Sequence, residues 1–193
     1  VPISEQHPAV GQSPYSATKI AADEIALSYF RSFNTPVKIV RPFNTYGPRQ
    51  SARAIIPTVI SQIASGITDL KLGNLSPTRD LTFVKDTAKG FIDIFESDQL
   101  WGEPTNIGMS DEISIGDLVY KIAELMGVEI TINTDQERVR PGKSEVERLF
   151  CDNNKILTHT NWKPDYTLEL GLLETIDWVK KNMDVFKPNV YNV

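Results

Sequence analysis

The chain has 193 residues, 40% hydrophobic and 23% charged, with a net charge of −5. That is enough apolar surface for a core, which excludes a disordered chain, and the lack of an apolar run near 18 residues excludes a membrane-spanning helix. The acidic balance argues against general affinity for nucleic acid or anionic lipid.

Residues 1–12 read as a polar loop without signal-peptide or transit-peptide character. Ser13-Pro14 is an N-cap followed by a proline in the first turn, where its missing N–H costs nothing. The helix it opens runs from Tyr15 to Phe33, with Ile20, Ala21, Ile25 and Ser28 on one stripe, and Asn34 and Pro36 stop it. Val37–Val40 is a short β-branched run, expected as a strand. Pro42 to Arg53 is rich in turn formers and reads as a loop. Ala54 to Ser65 is apolar at helical spacing. Leu70–Leu72 and Leu81–Val84 read as strands, and Asp86 as the cap of a helix reaching Ser97. Thr105–Gly108 is a strand. Ser114 to Met126 is an amphipathic helix, with Ser114 as N-cap, Asp117 in a capping-box position and Gly127 at its end. Glu129–Asn133 is a strand, and Asn153–Thr160 and Leu168–Lys181 are helices. This alternation is α/β. The composition shift at 42–53 suggests two regions that exchange chain: residues 1–53, and residues 54–193 with 85–108 returning to the first.

Three constellations could carry chemistry. Tyr15 and Lys19 stand four apart on one helix face. A nearby ammonium favours a phenolate, so such a pair can take a proton from a hydroxyl as hydride leaves the carbon bearing it; the alternative is a solvated helix turn. Arg41-Pro42-Phe43-Asn44-Thr45-Tyr46-Gly47-Pro48-Arg49 follows a strand directly, where ligands of parallel sheets lie; the alternative is ordinary turn chemistry. Arg79, Arg138 and Arg140 lie in or near loops, and arginine forks suit phosphate oxygens; the alternative is solvated surface arginines. His7 and His159 are far apart and have no cysteine partner, so a metal site finds no support. The lone Cys151 can form no internal disulfide and points to a reducing, cytoplasmic setting.

In this order the segments resemble the extended short-chain dehydrogenase/reductases, in the branch of sugar-nucleotide epimerases and dehydratases. The match includes Pro14-Tyr15-Ser16-Ala17-Thr18-Lys19, Arg41 to Pro48, Arg79-Asp80-Leu81-Thr82-Phe83-Val84-Lys85-Asp86, Asn106-Ile107-Gly108, Arg140-Pro141-Gly142 and Asn161-Trp162-Lys163-Pro164. Within the branch the chain is most similar to nucleotide-sugar 4,6-dehydratases. Arg140-Pro141-Gly142-Lys143-Ser144-Glu145-Val146 resembles the Arg-Pro-x-Glu-Val of GDP-mannose dehydratases. The sequence as a whole is similar to dehydratases acting on nucleotide-linked N-acetylglucosamine in legionaminic acid synthesis.

The resemblance implies the C-terminal part of a Rossmann-like doubly wound parallel sheet, joined to a small mixed α/β substrate-binding region. It implies Tyr15 as the base at the sugar C4 hydroxyl and Lys19 as its partner and ribose ligand. Arg41 and Pro42 would stand near the cofactor, NAD or NADP. Asn44, Arg49, Arg79, Arg140 and Glu145 would meet the nucleotide sugar. The family's dehydratase reaction oxidises C4, loses water across C5 and C6 and returns hydride to C6. A homodimer is implied for the full-length enzyme. A dinucleotide of this class needs a glycine-rich turn, yet no two of the eleven glycines stand closer than six residues. The chain is therefore expected to be the C-terminal portion of a longer enzyme, inactive alone, with the outer edge of the Val37–Val40 strand open and prone to self-association. A 4-epimerase portion and a stand-alone nucleotide-sugar binding module are the rival readings.

Overall fold

The computed structural model describes residues 1–134 and 146–186. Two hydrophobic clusters organise them. The smaller is built on a parallel pair, β1 (Ile39–Pro42) and β6 (Pro104–Ile107), in register from Ile39 opposite Pro104. Helices α1 (Pro14–Phe33), α3 (Val84–Glu96) and α5 (Asn154–His159) belong to this region. Its buried side chains are Ile94, Leu100, Ile107, Ile156 and Trp162, with Val40 against them. Residues 3–5 close the far edge of β6: the Asn106 amide donates to the Glu5 carboxylate at 2.8 Å and its side-chain amide to the Ile3 carbonyl at 3.1 Å. Among the described residues β1 pairs with β6 alone.

One residue after β1 the chain enters β2 (Asn44–Tyr46), parallel to β5 (Leu81–Phe83). It thereby passes into the larger cluster, where α2 (Ile55–Ala64), α4 (Ile115–Met126) and α6 (Leu168–Lys181) pack on one another. Strand β3 (Asp69–Leu72) pairs in parallel with β8 (Thr131–Thr134). A three-stranded ribbon places β4 (Thr78–Arg79) between β7 (Ile113–Ser114), antiparallel, and β9 (Arg148–Leu149), parallel. Helix α4 is capped as its sequence dictates: Ser114 Oγ accepts from the Asp117 amide, and Gly127 closes it at φ 69°. No helix among the described residues is long and apolar enough to cross a membrane. The architecture is mixed α/β with parallel pairs, as expected.

Several elements differ from the sequence reading. The strand expected at Val37–Val40 begins instead at Ile39, because the stretch before it is held elsewhere. Val37 accepts from the Gly102 amide at 2.7 Å. The Lys38 ammonium donates to the Ile94 and Phe95 carbonyls at 2.9 and 3.0 Å and to that of Ser97, capping α3, and lies 4.1 Å from the centre of the Trp101 ring. The loop expected over 42–53 contains β2, whose partner lies nearly forty residues downstream. On α1 the expected stripe is not the packed one. Leu27 is its one buried residue, Ile20, Asp23 and Phe30 are half-buried on the same face, and Ile25 is 61% exposed. Asp86 does not cap its own helix, which starts at Val84; it lies buried in the first turn and accepts the Asp165 and Tyr166 amides at 2.8 and 3.1 Å.

Candidate active site

Tyr15 and Lys19 occupy the first turns of α1. The helix start is locked by a reciprocal capping box: Ser13 Oγ accepts from the Ser16 amide, and Ser16 Oγ from the Ser13 amide. With the first turn fixed, the i, i+4 spacing brings the Lys19 ammonium within 5.6 Å of the Tyr15 ring centre. The Tyr15 side chain is 72% exposed, so its hydroxyl is open to a ligand. The helix is tied to the sheet by Arg41 on β1, whose Nε donates to Asp23 at 2.7 Å. Arg41, expected near a cofactor, thus has its Nε engaged in orienting the helix that carries Tyr15. Pro42 is exposed at the end of β1, opposite Ile107.

A second candidate feature is a small open cleft lined by Arg79, Leu81, Met109, Asp111, Glu112, Ile113 and Leu168. Asn44 is exposed at the head of β2, directly opposite the cleft residue Leu81 on β5, whereas Arg79 lies on β4 in a separate sheet. Arg49 is exposed in the following turn, at φ 66°. Arg140 and Glu145 lie outside the described residues. Arg79 Nη1 donates to the Thr78 carbonyl at 2.8 Å.

Glu112 is a cleft residue that the sequence reading did not select. Its carboxylate is gripped by the Arg148 fork, through Nε at 3.2 Å and through Nη2, and it accepts the Thr78 hydroxyl. The Arg148 guanidinium, then the Thr78 hydroxyl, hold its carboxyl below the ordinary range. The cleft therefore combines an arginine with carboxylates on an apolar floor. The arginine suits an anionic diphosphate, and carboxylates suit hydroxyl donors. The available signal was position: Asp111-Glu112 follow the carboxyl end of a parallel strand, where ligands of such sheets gather.

The family model for GDP-mannose 4,6-dehydratase matches residues 1–175. The chain belongs to this family. It is a family of the short-chain dehydrogenase/reductase class, as the motifs implied. A curated relative is the dTDP-glucose 4,6-dehydratase of Xanthomonas campestris pv. campestris (strain ATCC 33913), 28% identical over 193 residues, 93% of this chain and 52% of the relative. Among solved structures, dTDP-glucose 4,6-dehydratase from Bacillus anthracis in complex with NAD has a TM-score of 0.84 at 30% identity, covering 97% of this chain and 58% of that one. UDP-glucuronic acid 4-epimerase from Bacillus cereus, in complex with UDP-glucuronic acid and NAD, has a TM-score of 0.86 at 28% identity, covering 94% and 57%. The chain spans about half the length of the first of these curated relatives. Of the residues that the resemblance assigns to a nicotinamide dinucleotide, Tyr15 and Lys19 stand exposed on α1, where a phenol and an ammonium offer hydrogen bonds of the kind a ribose takes. The glycine-rich turn for its diphosphate is not among the 193 residues.

Proposed function

We propose that this chain forms the catalytic-helix and substrate-binding part of an NAD(P)-dependent nucleotide-sugar 4,6-dehydratase. The reaction converts an NDP-hexose, NDP-N-acetylglucosamine, to its 4-keto-6-deoxy form. The observation that carries this reading is the open Tyr15–Lys19 pair, with the ammonium 5.6 Å from the ring centre, in a chain that matches the dehydratase family over residues 1–175. Tyr15 takes the proton from the C4 hydroxyl, and Lys19 favours the phenolate and reaches the cofactor ribose. Arg41 orients α1 through Asp23. Asn44 and Arg49 meet the sugar–diphosphate, Arg79 and Arg140 neutralise its charge, and Glu145, five residues after Arg140, also meets the nucleotide sugar. The nicotinamide, when bound, supplies the acceptance and return of hydride. The full-length enzyme is proposed as a cytoplasmic homodimer.

A 4-epimerase is the second reading. The likeness to UDP-glucuronic acid 4-epimerase supports it, and Tyr15 and Lys19 serve that chemistry equally. The test is product analysis by NMR after incubating the full-length protein with NAD and UDP-, dTDP- and GDP-hexoses, N-acetylglucosamine included. A new C6 methyl signal with a C4 ketone supports the dehydratase. A C4 epimer without loss of water replaces it with the second reading. No turnover of any member of the panel overturns both.

A further inference from the structure

Asp80 lies between β4 and β5 and is fully buried, at 0% exposure. Its partners among the described residues are backbone amides. Oδ1 accepts from Met109 at 2.8 Å, and Oδ2 accepts from Ser110 at 3.0 Å and from Cys151 at 3.1 Å. The Asp111 amide adds to the same carboxylate. Gly108 leaves room for this convergence: a Cβ there would stand 3.2 Å from Asp80 Oδ2 and 2.3 Å from Cys151 Cβ. A buried carboxylate is costly to desolvate, and charge-assisted bonds from several amides are what offset that cost.

The amides come from the turn after β6 and from Cys151, two residues past β9. Met109, Asp111 and Glu112 of that turn, with Ile113 at the start of β7, line one side of the cleft, while Arg79 and Leu81, the chain neighbours of Asp80, line another. One side chain therefore joins the two sides. We propose that Asp80 is a positioning residue of the cleft, fixing the 109–113 turn against Arg79 at the separation a nucleoside diphosphate needs. This rests on the reading of the cleft as the nucleotide-sugar site. Asp80 itself touches no ligand; it acts through Arg79 and the turn.

The test uses the full-length protein and titrates UDP, dTDP and GDP into the wild type, Asp80→Asn and Ile122→Val. The last is a control in the α4 core, where Ile122 is 0% exposed and outside the cleft lining. Binding to Asp80→Asn is expected to weaken by about tenfold or more, equivalent to ~1.4 kcal/mol, while Ile122→Val binds as wild type at a comparable loss of melting temperature. Hydrogen exchange at the amides of 109, 110, 111 and 151 is expected to quicken locally in Asp80→Asn. In the wild type alone, bound nucleotide should slow those four amides more than the amides of α4, a readout that stands even if Asp80→Asn fails to fold. Undiminished binding by Asp80→Asn, or four amides indifferent to bound nucleotide, overturns the positioning role and leaves the cleft reading intact. A wild type that binds none of the three diphosphates removes the cleft reading and the positioning role with it.

Discussion

Gly171, in the first turn of α6, gives the sharpest energetic prediction. A Cβ there would sit 2.2 Å from the Tyr46 hydroxyl, 2.9 Å from Tyr46 Cζ and 2.8 Å from Phe83 Cδ2. Tyr46 and Phe83 are each 1% exposed and their rings lie 5.5 Å apart, so neither can swing aside into solvent. In an exposed helix Gly→Ala stabilises by about 1 kcal/mol. Here overpacking costs about 1–3 kcal/mol. Displacing the Tyr46 hydroxyl also breaks its 3.0 Å bond to the Leu168 carbonyl, and leaving it buried and unpaired costs about 1–3 kcal/mol more. Gly171→Ala is thus expected to destabilise by about 3 kcal/mol, a fall in melting temperature of roughly 6–12 °C for a chain of this size. Urea unfolding of the single variant and of Gly171→Ala/Tyr46→Phe measures it. The double variant, without the hydroxyl, should recover part of the loss and show coupling above ~0.5 kcal/mol. A Gly171→Ala protein as stable as wild type, or more stable, would refute the reasoning.

In the full-length protein Tyr15→Phe should lower turnover by orders of magnitude with little change in nucleotide-sugar affinity; its melting temperature should hold, because the side chain is 72% exposed, and near-wild-type turnover removes Tyr15 from the role of base. Arg79→Ala should weaken nucleoside diphosphate binding by about 1.5–3 kcal/mol, with Arg79→Lys restoring only part because it lacks the fork; calorimetric titration decides it, and unchanged affinity places the diphosphate elsewhere. Arg148 holds the Glu112 carboxyl below its ordinary range, so the unfolded state binds that proton more readily. The stability this contributes is present above the unfolded value and lost as pH falls through the folded one. Glu112→Gln should flatten the acid limb of stability against pH, and a superimposable limb contradicts the assignment.

The parts of the site that were legible are those whose causes are local in sequence. Tyr15 and Lys19 meet because i and i+4 share a helix face. Helix α4 begins and ends where Ser114, Asp117 and Gly127 say it should, because caps are local. Strands of two or three residues have no such local cause. Thr78 is in a strand because Ser114 and Arg148 pair with it, and no periodicity can appear in two residues. The packed face of α1 was misassigned for a related reason: Arg41, eighteen residues downstream of Asp23, draws a charged residue inward.

The stretch Arg79–Asp86 shows what such distance hides. Read as a sequence, it offers an arginine, a short strand and a helix cap. In the fold its two aspartates face opposite tasks. Asp80 holds the amides of 109–111 and 151, and Asp86 holds those of 165 and 166, two residues before Leu168. Residues 109–113 and Leu168 both line the cleft beside Arg79 and Leu81. Five residues, β5 and the first two of α3, therefore separate two carboxylates that each anchor a different part of the cleft's surroundings, with Arg79 directly before the first. The spacing of the motif matters because the acids fix where the arginine's surroundings stand, which a reading of each residue in its own helix or turn does not reveal.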